Sequence, residues 1–163
     1  MIVTVTGHRN IKSNETNIKG INQLIDFALK KNVTEFLVGM ARGADLLFAE
    51  QLIARNLKWT AIIPCHNHIK LWNYADKQRF DKIISKTENQ IILSPYYESH
   101  VMIERNLWML ERSQLCIGIY DELEKGGTAF TINTALNKNL FVCYFNPNNH
   151  QFITIKPSQF NLF

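Results

Sequence analysis

Short runs of β-branched and aliphatic residues alternate along the chain with longer stretches whose apolar positions recur at three- and four-residue steps. The first kind of run predicts strands and the second predicts helices with one buried face. Residues 2–6 (IVTVT) read as a strand, and Ile18, Ile21, Leu24, Ile25, Ala28 and Leu29 mark the inward face of the helix after it. A second strand covers residues 35–39 (EFLVG), followed by a helix over about 43–56 with Leu46, Leu47, Ala49, Leu52 and Ile53 turned inward. The third strand, residues 59–63, ends at Pro64, and a helix follows around 74–86. A strand at 89–93 closed by Ser94-Pro95, a helix over 98–112, a strand at 115–120 (LCIGIY), a helix at 128–137 and a strand at 140–145 (LFVCYF) complete the series.

Six strands alternating with five helices define an α/β protein. Continuously apolar strands such as LCIGIY belong to a mainly parallel sheet covered by helices on both faces, and right-handed crossovers make it a doubly wound, Rossmann-like fold. With no repeat and no Pro/Gly/Ser-rich boundary, residues 1–163 read as one domain. The tail, residues 150–163, holds Phe152, Ile153, Ile155, Phe160 and Phe163. So apolar a segment is expected on the sheet edge or on a partner, a second copy in a homo-oligomer included.

A composition of 46% hydrophobic and 20% charged residues excludes a disordered chain. The apolar runs are too short to cross a bilayer, so no membrane partner is expected. The first strand begins almost at Met1 without a basic or long apolar leader, so no secretory signal is visible and a cytoplasmic location is expected. Cys65, Cys116 and Cys143 are an odd number at wide spacing, which argues against a disulfide framework. The net charge of +4 is scattered, which suits an anionic ligand without demanding nucleic acid.

In open α/β sheets, ligands lie beyond the carboxyl ends of the strands. Three junctions stand out there. Thr6-Gly7-His8-Arg9 follows the first strand and offers a tight turn, an imidazole and a guanidinium. Gly39-Met40-Ala41-Arg42-Gly43-Ala44-Asp45 follows the second, with the next helix expected to aim unpaired N–H groups into the same space. Tyr120-Asp121 follows the fifth, and Gly126-Gly127-Thr128 then opens a helix. This last element is the strongest candidate for an anion site, because glycines let converging N–H groups approach a phosphate that side chains would obstruct. Neither a Walker loop nor a GxGxxG fingerprint is present, so ATP hydrolysis and NAD-dependent hydride transfer have no support.

Arg105 and Asn106 interrupt an apolar helical stretch. An arginine there needs a partner, for which Glu104, Asp121 and a ligand phosphate are the candidates. Cys65-His66-Asn67-His68 offers three metal-ligating side chains within four residues, too close together to complete a tetrahedral zinc site alone. The segment reads as a polar pocket wall, with no metal.

Val5-Thr6-Gly7-His8-Arg9, the Gly39/Ala41/Arg42/Gly43/Ala44/Asp45 run with Ala49-Glu50, Arg105-Asn106 with Met109, and Gly126-Gly127-Thr128 with Thr131 together resemble the SLOG superfamily of Rossmann-like domains. Within it the sequence is most similar to the YpsA-like branch, as Pro64 and Trp72 also are. The resemblance implies a pocket for a nucleotide or nucleotide-derived molecule, such as an ADP-ribose or NAD-related compound, lined by these loops. LOG-type phosphoribohydrolases of the same superfamily place a catalytic Glu three residues after the Gly-rich loop's Thr. Here that position is Thr131, which cannot serve as a carboxylate, so glycosidic hydrolysis is disfavoured unless Asp121, Glu122 or Glu104 substitutes. A second reading comes from DprA-like members, which resemble single-stranded DNA binders. Trp72, Tyr74, Tyr96 and Tyr97 beside Lys70, Lys77, Arg79 and Lys82 would form the stacking surface such a role needs.

Overall fold

The computed structural model describes residues 1–123 and 125–158. Along the chain run β1 (Ile2–Gly7), α1 (Glu15–Lys30), β2 (Glu35–Val38), α2 (Ala44–Ala54), β3 (Trp59–Cys65), α3 (Tyr74–Ile84), β4 (Gln90–Ser94), α4 (Val101–Glu111), β5 (Leu115–Ile119), α5 (Gly127–Asn137), β6 (Phe141–Phe145) and β7 (Phe152–Ile155). They build one seven-stranded sheet of order β4-β3-β2-β1-β5-β6-β7, parallel except for the β6–β7 pair.

The chain winds outward from β1 to β4, then returns to β5 on the other side of β1. Helices α1, α2 and α3 accordingly cover one face, and α4 and α5 the other. Val3, Val5, Val38, Ile117 and Phe145 are buried beneath the first layer together with Leu24, Leu47 and Phe48. On the opposite face Cys116, Val142 and Tyr144 pack with Leu110 and Ile132, while Leu37 and Ile62 pack with Met109. The direction of winding reverses between β1 and β5, and in this topology the strand ends diverge at that point to leave a crevice.

Two sequence expectations are corrected. β3 runs through Pro64 to Cys65 instead of stopping before the proline. The Ala61 N–H turns toward β4, donating to the Asn89 carbonyl at 2.9 Å, so alternation turns the backbone of Pro64 toward β2. That neighbour has already ended, with Val38 paired to Ala61, so the missing N–H interrupts no ladder. The sheet also has seven strands, not six, because Phe152–Ile155 pairs with β6 as an antiparallel edge. Of the two places expected for the tail, these residues take the sheet edge; Phe160 and Phe163 lie outside the described residues. Asn146-Pro147-Asn148-Asn149 makes the reversal, closed by the His150 N–H on the Asn146 carbonyl at 2.8 Å. Among the described residues no helix is long and apolar enough to cross a membrane.

Candidate functional site

A cavity of about 330 Å³ opens at the β1/β5 switch point. The end of β1 supplies Thr6, Gly7, His8 and Arg9, the β2–α2 loop supplies Gly39 and Ala41, the first turn of α2 supplies Asp45, α4 supplies Arg105 and Asn106, and the start of α5 supplies Gly126, Gly127 and Thr128. Three expected residues stand elsewhere. Arg42 lines an adjoining cavity, Gly43 is buried under the β1 turn, and Asp121 faces a separate polar depression beyond His8. Sequence reasoning missed Lys125, Met102 and Ile103, which also line the cavity. Met102 lies three residues before Arg105, a spacing that could have placed it on the same face of α4, whereas Ile103, two residues before, has no such signal.

The two helix N-termini behave differently. α5 begins after Gly126 with no side-chain cap, which leaves the N–H groups of its first turn open at the cavity wall. α2, expected to contribute in the same way, is spent internally: the Ala44 N–H donates to the His8 carbonyl at 3.1 Å. Gly43 permits that approach, standing at φ 77° with the β1 turn directly against it.

Arg105 is 4% exposed although it carries a guanidinium. Its Nη1 donates to the Gly39 carbonyl and its Nε to Asn106 Oδ1 at 2.8 Å. Asn106 Nδ2 in turn donates to Thr131 Oγ1 at 2.9 Å, and that hydroxyl donates to the Gly127 carbonyl at 2.7 Å. A continuous relay therefore ties α5, α4 and the β2–α2 loop together and fixes the guanidinium on the cavity wall. Neither Glu104 nor Asp121, the protein partners expected for this arginine, holds it. Glu104 is exposed beside His100, and the Asp121 carboxylate and backbone N–H each lie 3.0 Å from His8 Nε2.

Asp45 is the one acidic side chain among the described residues lining the cavity. Its Oδ2 accepts the Ala41 N–H at 3.0 Å, holding the β2–α2 loop. Burial pushes its carboxyl above the usual range, while Arg105, that N–H and Arg9 pull it back. Burial also lowers the Arg105 guanidinium, opposed by Asp45. Each group thus favours the charged form of the other in a place where burial disfavours either charge alone.

Thr131, the position at which the LOG-type resemblance would place an acid, is 1% exposed and uses its hydroxyl as both donor and acceptor inside the relay. It positions Asn106 and faces no ligand space. Glu122 bonds the Tyr144 hydroxyl, so neither it nor Glu104 or Asp121 reaches the cavity as a replacement acid. In the Cys65–His68 segment, the Cys65 thiol lies 3.6 Å from Asn67 Oδ1, and burial pushes the His68 imidazole down to about 4. Among the described residues no three His, Cys, Asp or Glu side chains are grouped to hold a metal.

The doubly wound sheet carries this cavity at its switch point, and the sequence profile that the chain matches is that of a SLOG-type domain. The chain belongs to the YspA SLOG family, whose sequence profile matches residues 3–152. UPF0398 protein SSP1297 of Staphylococcus saprophyticus is 24% identical over 144 residues, covering 78% of this chain and 77% of that protein. DNA processing protein A (DprA) from Streptococcus pneumoniae has the same fold, with a TM-score of 0.67 at 18% identity over 90% of this chain and 50% of its own. DNA processing protein A from Helicobacter pylori, described for its single-stranded DNA binding mode, gives a TM-score of 0.64 at 18% identity, covering 91% of this chain and 66% of its own. The chain thus spans about half the length of one DprA and 66% of the other.

Proposed function

We propose that this domain binds or senses a nucleotide or nucleotide-derived molecule, an ADP-ribose or NAD-related compound or a nucleoside phosphate, with an anionic group in the β1/β5 cavity. The observation that carries this reading is the meeting of an uncapped helix N-terminus and a buried, tethered guanidinium in one cavity. An anion placed there gains N–H donors, the helix dipole and a charge-assisted contact without reorganising the protein. Its volume lies at the small end of the range for ligand sites, roughly 300–1,000 Å³. We read the protein as a cytoplasmic module that retains its ligand; native mass spectrometry of the purified chain is expected to show the bound mass and the oligomeric state together.

Gly127→Ala separates binding from folding. Gly127 lines the cavity at the mouth of α5, and a Cβ added there meets no protein atom within 4 Å. Urea unfolding is expected to move by about 0.5 kcal/mol or less, while calorimetry shows affinity for a nucleoside diphosphate falling about tenfold or more. Equal affinity in the variant would remove α5 from the site.

Turnover is not part of the reading, because Thr131 is engaged and Asp45 is held by Ala41 and Arg105. General acid–base assistance contributes about 10² to 10⁴ in rate, so its loss should leave AMP intact on the timescale of an enzyme assay. Chromatographic detection of free adenine at enzymatic rates would overturn this.

One observation favours a second reading. Tyr74, Tyr96 and Tyr97 are 74%, 73% and 57% exposed, as stacking side chains for single-stranded DNA would be. Such binding would strengthen with oligonucleotide length and weaken steeply with salt, whereas binding in a compact pocket would do neither strongly.

A further inference from the structure

The adjoining cavity, about 410 Å³, shares Arg9, Ala41 and Met102 with the first but differs in chemistry. Its apolar surface comes from Trp72, Leu71 and Tyr97. Leu71 is 94% exposed and Tyr97 57% exposed, so two large apolar side chains stand in water at its rim. Trp72 is held edge-on between His68 and Phe80, with ring centroids 5.5 and 5.9 Å away, and the Arg42 guanidinium lies 5.9 Å from its ring centre. Arg9, Arg42 and Lys70 border this cavity, and no acidic residue among those described lines it.

The wall is therefore aromatic, cationic at its margin, and continuous with the proposed anion site through Arg9. Arg9 is exposed and makes no ion pair with any described residue. A purely anionic ligand would leave the Trp72–Leu71–Tyr97 surface wet, and a purely apolar one would leave Arg9 without a counter-charge, whereas Arg42 already has Asp76 at 3.9 Å. A planar ring joined to phosphates satisfies both. We propose that the two cavities are halves of one site for a nucleoside diphosphate-type ligand, its phosphates between the α5 N-terminus and Arg9 and its base against Trp72 and Tyr97. The proposal rests on the reading of the first cavity as an anion site and adds the base subsite.

Calorimetry on the full chain with inorganic pyrophosphate, ADP and an oligothymidylate series tests it. ADP is expected to bind about ten- to a hundredfold more tightly than pyrophosphate, the usual worth of one stacked base. Trp72→Ala and Tyr97→Ala should each bring ADP toward the pyrophosphate affinity while leaving pyrophosphate binding unchanged, and Trp72→Phe should restore most of the difference. Tyr97 is largely exposed, so its variant remains informative should Trp72→Ala fold poorly. Equal affinities for ADP and pyrophosphate, or Tyr97→Ala with unchanged ADP binding, would remove the base subsite and leave the anion site standing. Binding of neither compound would end both readings, and oligothymidylate binding that rises with length without competition from ADP would give the aromatic surface to a nucleic-acid strand instead.

Discussion

Gly43→Ala is expected to lower the unfolding free energy by about 3 kcal/mol or more, and the melting temperature by about 10 °C. Two independent costs combine at this position. The backbone stands at φ 77° and ψ −120°, a region open in practice only to glycine. A Cβ built there would also sit 2.5 Å from the His8 carbonyl oxygen and closer still to that of Arg9, and both obstacles are backbone. Neither can swing aside as a flexible side chain would, so relief requires the β1 turn to separate from α2. That movement breaks the Ala44 N–H to His8 carbonyl bond and displaces Arg9, which borders both cavities. Thermal unfolding should show the loss, and binding measured well below the melting point should fall with it. A variant as stable as the parent would mean that the close packing of β1 on the β2–α2 loop is not a feature of the folded protein.

The contrast with Gly127 explains what could be read in advance. Both glycines occupy strand-to-helix junctions, and spacing alone gave them the same expected role. One is required because backbone packs on backbone, while the other leaves open space at the mouth of a helix. That difference depends on which loops touch, and a single sequence holds it only through the fold. Periodicity was sufficient for the alternation of elements, since β1, β3, β5 and β6 are buried along most of their length and α1 buries one face. Phe152, Ile153 and Ile155 marked the tail as apolar, but a four-residue strand is too short for periodicity to assign, so β7 was expected only as a segment on the sheet edge or on a partner. Pro64 misled because the rule that prolines end strands assumes a neighbour on both sides. The gathering of Thr6, Gly7, Gly39 and Gly126 around one cavity was legible from the switch-point rule and Arg105 stood out as a charge in an apolar helix, whereas the Thr131–Asn106–Arg105 relay was not legible. Thr131 stands 25 residues from Asn106, and a threonine in a helix shows no sign of which hydroxyl contacts it makes.

Arg105→Ala is expected to have the largest effect of any single side-chain change in the site, on stability as well as on binding. The guanidinium is buried, donates to the Gly39 carbonyl and to Asn106, and offsets the charge of Asp45. Its removal leaves a buried carbonyl without that donor and a buried carboxylate without its principal counter-charge, a loss of about 3 kcal/mol or more. Nucleotide affinity should fall by about tenfold or more in the fraction that folds, from the missing charge-assisted contact. The pH dependence identifies the cause. Asp45 already has its carboxyl raised above the unfolded value of 3.8 by burial, so it disfavours folding when ionised, and that penalty lessens as pH falls through the raised value. Without Arg105 the carboxyl rises further and the penalty at neutral pH grows. The stability gap between parent and variant should therefore narrow as the buffer is taken from neutral pH down through the variant's further-raised Asp45 value, where that carboxyl takes up a proton and the charge is lost. Asp45→Asn placed in the Arg105→Ala background should abolish that narrowing and recover part of the stability, because the amide keeps an oxygen for the Ala41 N–H and carries no charge. Urea unfolding of all three proteins across that range measures the gap directly. A gap that stays constant with pH would show that Arg105 holds the β2–α2 loop through the Gly39 carbonyl alone, with no electrostatic hold on Asp45.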